Sequence, residues 1–432
     1  MIQEKLSRFI NNENRPDFRS YSLESVLMLL DRFGNPHRSL RMIHIAGTNG
    51  KGSVAHMLHD IFSHAGYAAG RYTSPHLLDI NERIAIHDEH IQDGELERYI
   101  DDIIGLADSD RSLRPTYFDI LTVCALRHFS DRRVDIAVIE TGLGGRLDST
   151  NVITPLVSVI TDISMDHTHI LGNTLEAITR EKAGIIKNGV PVVTSNTSAD
   201  VNEILASHAR VRQADFYALG RDFTTENIVE LENGFRYDYR LAGKPPQQII
   251  GLEVSHPMGR QVANSSLAVT ASIIARSYFQ SLTDDAIREG MKNFNAPGRF
   301  QVLSRDPVVV VYDPAHNRAA MHEMAKLASK KFNLRNLTLV ITLMKDKDIG
   351  GIMKVLEEHG MKGIYFILTD PRCHRPRPGD HPRVIKDIIT ADETELHRRL
   401  DRMIAQDTVF FFIGSFRLYG TAQHYAHHHR RS

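Results

Sequence analysis

The sequence predicts an α/β protein with two units: a large, mainly parallel sheet with helices on both faces, then a smaller Rossmann-like unit. Short apolar runs rich in β-branched residues do not alternate, as expected of parallel strands buried on both faces. Longer segments with helical periodicity separate these runs. At 432 residues the chain exceeds what one hydrophobic core usually organises. The break at Ala296-Pro297-Gly298 divides it into residues 1–296 and 297–432.

The predicted elements follow the chain in a regular series. Strands of the first unit are expected at 42–46, 136–139, 157–160 and 190–194. Asn233-Gly234 lies between two β-rich segments and predicts a hairpin attached to the main sheet, and a helix is expected at 264–278. In the second unit we expect strands at 308–312, 337–342, 363–368 and 409–413, and a helix at 318–331.

Composition argues against several classes of protein. The 52 basic and 53 acidic residues give a net charge of −1, which offers no broad electrostatic reason to bind nucleic acid or an anionic membrane. No apolar run approaches the roughly 18–20 residues of a membrane-spanning helix. Two cysteines, Cys124 and Cys373, cannot form a disulfide framework. We therefore expect a cytoplasmic globular protein with no nucleic-acid or membrane partner.

The strongest local signal is the glycine-rich segment Gly47-Thr-Asn-Gly-Lys-Gly-Ser53, between a predicted strand and a predicted helix. Backbone N–H groups of such a turn can surround a phosphate, and the helix N-terminus adds partial positive charge. Lys51 can reach the outer phosphates, and Ser53 can offer its hydroxyl to magnesium. The P-loop pattern is imperfect, because Ile45 stands at the distal glycine position and Gly52 follows the lysine. The segment predicts phosphate binding and leaves kinase, ligase and GTPase open.

Polar residues follow other predicted strands at the same expected sheet edge. Glu140 ends one strand and, beside a P-loop, is a natural magnesium ligand. His167 follows a further strand. In the second unit, Asp313-Pro-Ala-His-Asn317 repeats this position. Arg299 follows the predicted boundary, where it could complete a phosphate site on domain closure or be an ordinary surface arginine. On composition alone, Lys182 is a solvent-facing helix lysine.

Together these segments resemble the folylpolyglutamate synthase and dihydrofolate synthase family, a branch of the Mur ligases. The matching motifs run in order along nearly the whole chain and are specific as a set. They are Gly47–Ser53, Thr73–Leu77 with Glu82-Arg83, Glu140–Asn151, Asp166-His167, Leu171-Gly172, Glu181–Lys187, Pro297–Arg299, Asp313–Asn317, Asp346–Asp348 and Gly414-Ser415. Departures are Asp119 where glutamate is commoner, Pro314 in place of a small residue, and Cys124 within an apolar helix.

The resemblance implies a role for each matching residue. It implies ATP contacts at Asn49, Gly50, Lys51, Gly52, Ser53, Asn264, Arg299 and Asp313. It implies magnesium ligands, for what we expect to be two ions, at Ser53, Ser74, Glu140, His167 and a carboxylated Lys182. It implies pterin contacts at Thr116, Tyr117, Phe118, Asp119, Leu147, Asp148 and Ser149. His316 and Ser415 would receive glutamate. Lys51, Lys182 and His316 would be the catalytic residues.

The resemblance therefore implies an ATP-dependent ligase that joins L-glutamate to dihydropteroate or a reduced folate through an acyl phosphate. The sequence leans towards the bifunctional bacterial type at Gly145–Asp148. Two alternatives remain, a cell-wall-type Mur ligase and a nucleotide-dependent regulatory ATPase. Gly52 and the Thr73–Leu77 segment argue against the first, and the second α/β unit and Lys182 argue against the other. We expect a monomer.

Overall fold

The structure, a computed structural model, describes residues 2–9 and 22–428. The chain forms two compact units, Met1–Asn295 and Ala296–Ser432, which we call the N-terminal and C-terminal units. Among the described residues, no helix combines the length and apolar character needed to cross a membrane. Cys124 and Cys373 are buried and carry free thiols.

The N-terminal unit alternates helices and strands over most of its length. Its helices are α1 (Ile2–Ser7), α2 (Glu24–Arg32), α3 (Lys51–His64), α4 (Asp93–Ser109), α5 (Tyr117–Asp131), α6 (Thr168–Leu171), α7 (Leu175–Ala183), α8 (Ala199–Val211), α9 (Arg260–Ala275) and α10 (Asp284–Lys292). Its strands are β1 (Met42–Ala46), β2 (Ala69–Tyr72), β3 (Ile84–Ile86), β4 (Glu89–His90), β5 (Ile136–Glu140), β6 (Val157–Ile160), β7 (Val192–Thr194), β8 (Phe216–Ala218), β9 (Phe223–Leu231), β10 (Gly234–Leu241) and β11 (Gln247–Val254).

The main sheet has the strand order β4-β3-β2-β5-β1-β6-β7-β8. Strands β2, β5, β1, β6, β7 and β8 run parallel, while β3 and β4 continue one edge antiparallel. Every residue of β1, β5 and β6 is buried, and their sequences are mainly apolar, with His44, Glu140 and Ser158 as the polar exceptions. The predicted α/β class and its mainly parallel sheet are confirmed.

The predicted hairpin is also confirmed, but the sequence underestimated its extent. β9 and β10 pair antiparallel across the turn at Asn233-Gly234, and β11 pairs with the other side of β10. These strands form a separate sheet rather than an extension of the main one. The predicted attachment to the main sheet is therefore wrong, because these strands pair with each other antiparallel.

The C-terminal unit is a second α/β layer structure. It contains β12 (Gln301–Ser304), β13 (Val309–Asp313), α11 (Arg318–Lys331), β14 (Leu337–Ile341), α12 (Ile349–Glu358), β15 (Gly363–Ile367), β16 (Ile385–Thr390), α13 (Glu393–Asp401), β17 (Val409–Ile413) and α14 (Tyr419–His428). The strand order is β12-β13-β17-β14-β15-β16, parallel except for β12. The carboxyl ends of β13 and β17 are adjacent, because Asp313 is in register with Ile413.

Candidate active site

The glycine-rich loop connects β1 to α3, as predicted, and neighbouring side chains fill the space beside its glycines. A Cβ atom on Gly47 would lie 1.8 Å from Oγ1 of Thr161. Gly50 has φ of 95° and precedes α3, and a Cβ atom there would lie 2.5 Å from Oδ1 of Asn264. Glycine is therefore required at Gly47 by the close approach of Thr161, and at Gly50 by the left-handed backbone. The structure brings Asn264 to the loop, as the ATP-contact prediction requires.

A short chain of amides extends from this loop into α9. The Gln261 side-chain amide donates to the Ser53 hydroxyl at 3.2 Å and accepts from the Asn264 amide at 2.9 Å. All three side chains are buried. On the other side of the loop, Asn49 donates its side-chain N–H to the carboxylate of Asp162 at 3.2 Å. Neither Gln261 nor Asp162 belongs to a phosphate-binding pattern, so the sequence does not single them out.

Glu140 lies at the carboxyl end of β5, next to the start of α3. Its carboxylate is 3.9 Å from Nζ of Lys51 and accepts a 3.3 Å hydrogen bond from the backbone N–H of Ser74. A Cβ atom on Gly52 would stand 3.6 Å from the same carboxylate. The structure therefore brings four of the residues predicted for phosphate and magnesium into one place.

Lys182 is buried against the same loop. Its Nζ donates to the carbonyl oxygen of Gly47 at 2.7 Å, and Nζ of Lys51 donates to that oxygen at 3.2 Å. Burial, and then the positive charge of Lys51, lower the pKa of Lys182 from 10.5 to about 7. A larger fraction of this amine is therefore neutral near pH 7 than of an exposed lysine, which is almost fully charged. The solvent-facing position that composition alone suggested is wrong.

His167, another predicted magnesium ligand, lies beside Asp166 and His169. It precedes α6 with φ of 48°, and its ring lies 3.9 Å from the carboxylate of Asp166 and 6.3 Å from the ring of His169. Across the described ranges, no three His, Cys, Asp or Glu side chains converge so as to hold a metal ion alone. Magnesium usually keeps water and phosphate oxygens among its ligands, so one or two protein carboxylates are sufficient.

The two segments predicted to hold a pterin are directly joined. Thr116 caps α5 by accepting from the N–H of Asp119 at 3.1 Å, and the Asp119 carboxylate accepts from the N–H of Thr116 at 2.8 Å. The other oxygen of Asp119 accepts a 2.6 Å hydrogen bond from the Ser149 hydroxyl. Burial raises the pKa of Asp119, while these hydrogen bonds oppose the rise.

Phe118 and Asp148 already have protein partners. The Phe118 ring stacks on Tyr72 with centroids 5.8 Å apart and fills the space beside Gly142. The Asp148 carboxylate accepts from the N–H groups of Leu143 at 2.8 Å and Thr150 at 3.0 Å. Phe118 is 8% exposed and Asp148 is 4% exposed. Their predicted contacts with the pterin stay predictions, and Asp148 also serves to shape its own loop.

The loop that carries Leu147, Asp148 and Ser149 is packed backbone to backbone against the end of α7. The Arg146 N–H donates to the Glu181 carbonyl at 2.8 Å, and the Arg146 guanidinium pairs with the Glu181 carboxylate at 2.8 Å. A Cβ atom on Gly145 would lie 2.8 Å from that same carbonyl, and one on Gly184 would lie 2.4 Å from Cα of Arg146. The loop is thereby fixed next to Lys182.

In the C-terminal unit, the predicted residues meet where β13 and β17 end. The Phe416 ring lies 5.0 Å from the guanidinium of Arg299 and 5.9 Å from the ring of His316. Asp313 is fully buried and accepts from the N–H of Phe300 at 2.9 Å. The carbonyl of Ser415 accepts from the Tyr312 hydroxyl, and its own hydroxyl accepts from the Arg417 N–H.

Comparison with known proteins assigns both units. Residues 45–272 match the family described as Mur ligase middle domain, and residues 298–416 match the Mur ligase, glutamate ligase domain. The chain is 34% identical over 333 residues to a dihydrofolate synthase/folylpolyglutamate synthase of Bacillus subtilis, covering 76% of this chain and 77% of that protein. The chain belongs to this family of Mur ligases. It is therefore an ATP-dependent ligase.

Solved structures of this ligase family match nearly the whole chain. A Mycobacterium tuberculosis folylpolyglutamate synthase complexed with ADP and AMPPCP has a TM-score of 0.84 and 29% identity, covering 98% of this chain and 97% of that one. An FPGS–AMPPCP–folate complex has a TM-score of 0.83 and 29% identity, covering 98% of both chains. The family that the sequence resembles is confirmed, and the cell-wall-type and regulatory alternatives are set aside.

Proposed function

We propose that this ligase adds L-glutamate to dihydropteroate and to reduced folates, using ATP and an acyl-phosphate intermediate. The observation that carries the proposal is the joint position of Lys51 and Lys182, which both donate to the Gly47 carbonyl of the nucleotide loop. The related FPGS–AMPPCP–folate complex supports ATP and a folate compound as substrates. The proposal includes a monomer in the cytoplasm, where the buried thiols stay reduced.

The nucleotide-loop residues suit magnesium and a lysine carbamate. Glu140 is a nearly buried carboxylate beside Lys51, and the neutral form of the Lys182 amine can add carbon dioxide with loss of a proton. The resulting carbamate oxygens would hold the cations, together with Glu140 and the residues Ser53, Ser74 and His167. Bound magnesium would supply neutralisation of phosphate charge.

The chemistry solves a specific problem, since a free carboxylate and an amine only exchange a proton. Transfer of the γ-phosphoryl group of ATP to the substrate carboxylate gives an acyl phosphate and ADP. The glutamate amine then attacks the acyl carbon, loses a proton, and phosphate leaves from the tetrahedral intermediate. In this scheme Lys51 neutralises the transferred group, while Asn49, Gly50, Gly52 and Asn264 hold the nucleotide.

The pterin end of the folate substrate is proposed to lie along segments 116–119 and 147–149, which are joined by a hydrogen bond. Their connection through Ser149 and Asp119 fixes both segments relative to each other, which favours a single orientation of a flat ring. In the C-terminal unit, Arg299 and Asp313 are proposed for ATP, and His316 and Ser415 for glutamate. His316 and Arg299 share the Phe416 ring as a neighbour.

An ADP-release assay tests the proposal directly. Purified enzyme receives ATP, magnesium and glutamate with dihydropteroate, with tetrahydrofolate, or with neither. We expect release that depends on both glutamate and a folate compound, and a product heavier by one glutamate residue in mass spectrometry. Steady ATP hydrolysis that does not depend on either folate compound or on glutamate would contradict the proposal.

A further inference from the structure

A buried histidine lies beneath the segment proposed to hold the pterin. His44 is in the middle of β1 and has no exposed surface. Its Nε2 is 2.8 Å from Oγ1 of Thr150, which is also fully buried. No motif of the sequence singled out this histidine, and the proposed chemistry does not use it.

The hydrogens of this pair have one consistent arrangement. The Thr150 hydroxyl donates to the Asp148 carboxylate at 2.5 Å, so its single hydrogen is already used. The hydroxyl oxygen must then accept from His44, which requires a hydrogen on Nε2. Nδ1 of His44 has no hydrogen-bond partner among the described residues. Burial lowers the pKa of His44 to about 3, which keeps the ring neutral.

The hydrogen bonds from His44 to Thr150 and from Thr150 to Asp148, which we call the relay, hold the loop of residues 143–150 in its shape. Asp148 accepts from Thr150 on one oxygen and from the Leu143 N–H on the other, which closes the loop between these residues. Ser149, which lies between Asp148 and Thr150 in sequence, instead donates a hydrogen bond from its hydroxyl to the Asp119 carboxylate of α5. The loop is therefore fastened to the central strand through His44 and to α5 through Ser149.

We infer that His44 is a positioning residue for the pterin end of the substrate, acting through Thr150 on Asp148 and Ser149. The inference deepens the proposed function and rests on it. His44 does not touch the reacting atoms in this arrangement. Its removal should loosen recognition of the folate compound, while the nucleotide contacts remain because they come from the loop after β1.

Paired substitutions test the relay. His44→Leu removes the donor at similar volume, whereas His44→Gln places an amide N–H near the position of Nε2. We expect His44→Leu to raise KM for the preferred folate compound at least tenfold, with KM for ATP changed by less than threefold. His44→Gln should recover most of the lost affinity. Calorimetric titration of the same compound without ATP should give the same order of dissociation constants.

Thr150 provides a second, milder test if His44→Leu does not fold. Thr150→Val breaks the relay with almost no change in shape, and Thr150→Ser keeps the hydroxyl. The inference fails if the folded Leu and Val variants bind the folate compound like wild type, or if KM for ATP rises in parallel. Failure of the proposed function looks different, since wild-type enzyme itself would then neither bind a folate compound nor release ADP with one.

Discussion

Lys51 and Lys182 share a single hydrogen-bond acceptor, the carbonyl oxygen of Gly47. Two ammonium groups so close together repel each other, and the buried one loses its proton more readily. Burial, and then the charge of Lys51, lower the pKa of Lys182, and a neutral amine is the form that the proposed carbamate requires. The pairing links the phosphate-binding loop to the proposed carbamate in one local arrangement.

Lys51→Met should abolish turnover and leave the fold intact. The substitution keeps the apolar stem and removes the charge that faces the transferred phosphoryl group. We expect ADP release to fall by a factor of about 100 or more, as for loss of a main electrostatic contact in a transition state. The control is Lys5→Met, which removes a surface lysine that pairs with Asp101. Near-normal release by folded Lys51→Met would remove Lys51 from the mechanism.

Lys182→Met should eliminate a carbamate and most activity. We expect a carbon-13 carbamate signal in wild-type enzyme equilibrated with labelled bicarbonate, and bicarbonate should partly restore enzyme stripped of carbon dioxide. Lys187→Met is a matched control, because Nζ of Lys187 also donates to a backbone carbonyl, that of Asn151, at 2.7 Å. The signal should persist in that control. An unmodified amine in active, magnesium-loaded enzyme would refute the carbamate.

The acceptor range can be read from products. With glutamate and ATP, dihydropteroate should yield dihydrofolate, and tetrahydrofolate should yield its longer glutamyl form. The expectation rests on the joined segments at Asp119 and Ser149. Liquid chromatography with mass detection distinguishes the products. If the enzyme extends tetrahydrofolate but never consumes dihydropteroate, the bifunctional assignment is wrong and the family remains.

Ser149→Ala should weaken folate binding selectively. It deletes a hydrogen bond to a buried carboxylate, and bonds to charged groups contribute about 1.5–3 kcal/mol. We expect KM for the folate compound to rise roughly tenfold, the equivalent of about 1.4 kcal/mol. Ser112→Ala is the control, because that hydroxyl donates to the partly exposed Asp110 at the same distance, 2.6 Å. Equal effects of both substitutions would rule out a special role for Ser149.

His44 also predicts an acid-dependent loss of stability. Burial lowers the pKa of His44 from 6.5 to about 3 in the folded protein. Between pH 6.5 and pH 3 the unfolded chain therefore binds a proton at this histidine, whereas the folded chain does not. Stability therefore falls as pH drops from 6.5 towards 3, by about 1.4 kcal/mol for each pH unit at full effect. Between pH 7.5 and pH 4.5, the thermal midpoint of wild type should fall further than that of His44→Gln. Parallel curves would contradict this.

Much of the fold was accessible from the sequence because its central strands are mainly apolar and do not alternate. The predicted bounds of β1, β6 and β17 coincide with the observed ones, and so do those of α11. Strands such as β2, with the sequence Ala-Gly-Arg-Tyr, and the short β3 and β4 were missed. The conformation of β2 depends on its pairing with β5, which is distant in sequence, whereas β3 and β4 pair with each other and are too short to form a pattern.

The residues of the candidate site also fall into two groups, those that local sequence patterns predict and those that only the structure reveals. The nucleotide loop and Glu140 follow from local patterns at strand ends, and the structure places them together. Residues alone gave Lys182 no role, because its burial depends on a contact with Gly47, 135 positions away. His44 and Gln261 were missed for the same reason, since a single polar residue within an apolar element forms no pattern.

The close packing of Gly145 and Gly184 limits how this enzyme can be re-engineered. Cβ atoms at these positions would collide with backbone atoms, so side chains cannot yield to make room. A mutant library that aims at new acceptors should therefore leave both glycines fixed and vary Tyr117 and Leu147 instead. Selection for new substrates would then change side chains that can be replaced. The packing of the loop that carries Leu147–Ser149 against the end of α7, next to Lys182, would stay intact.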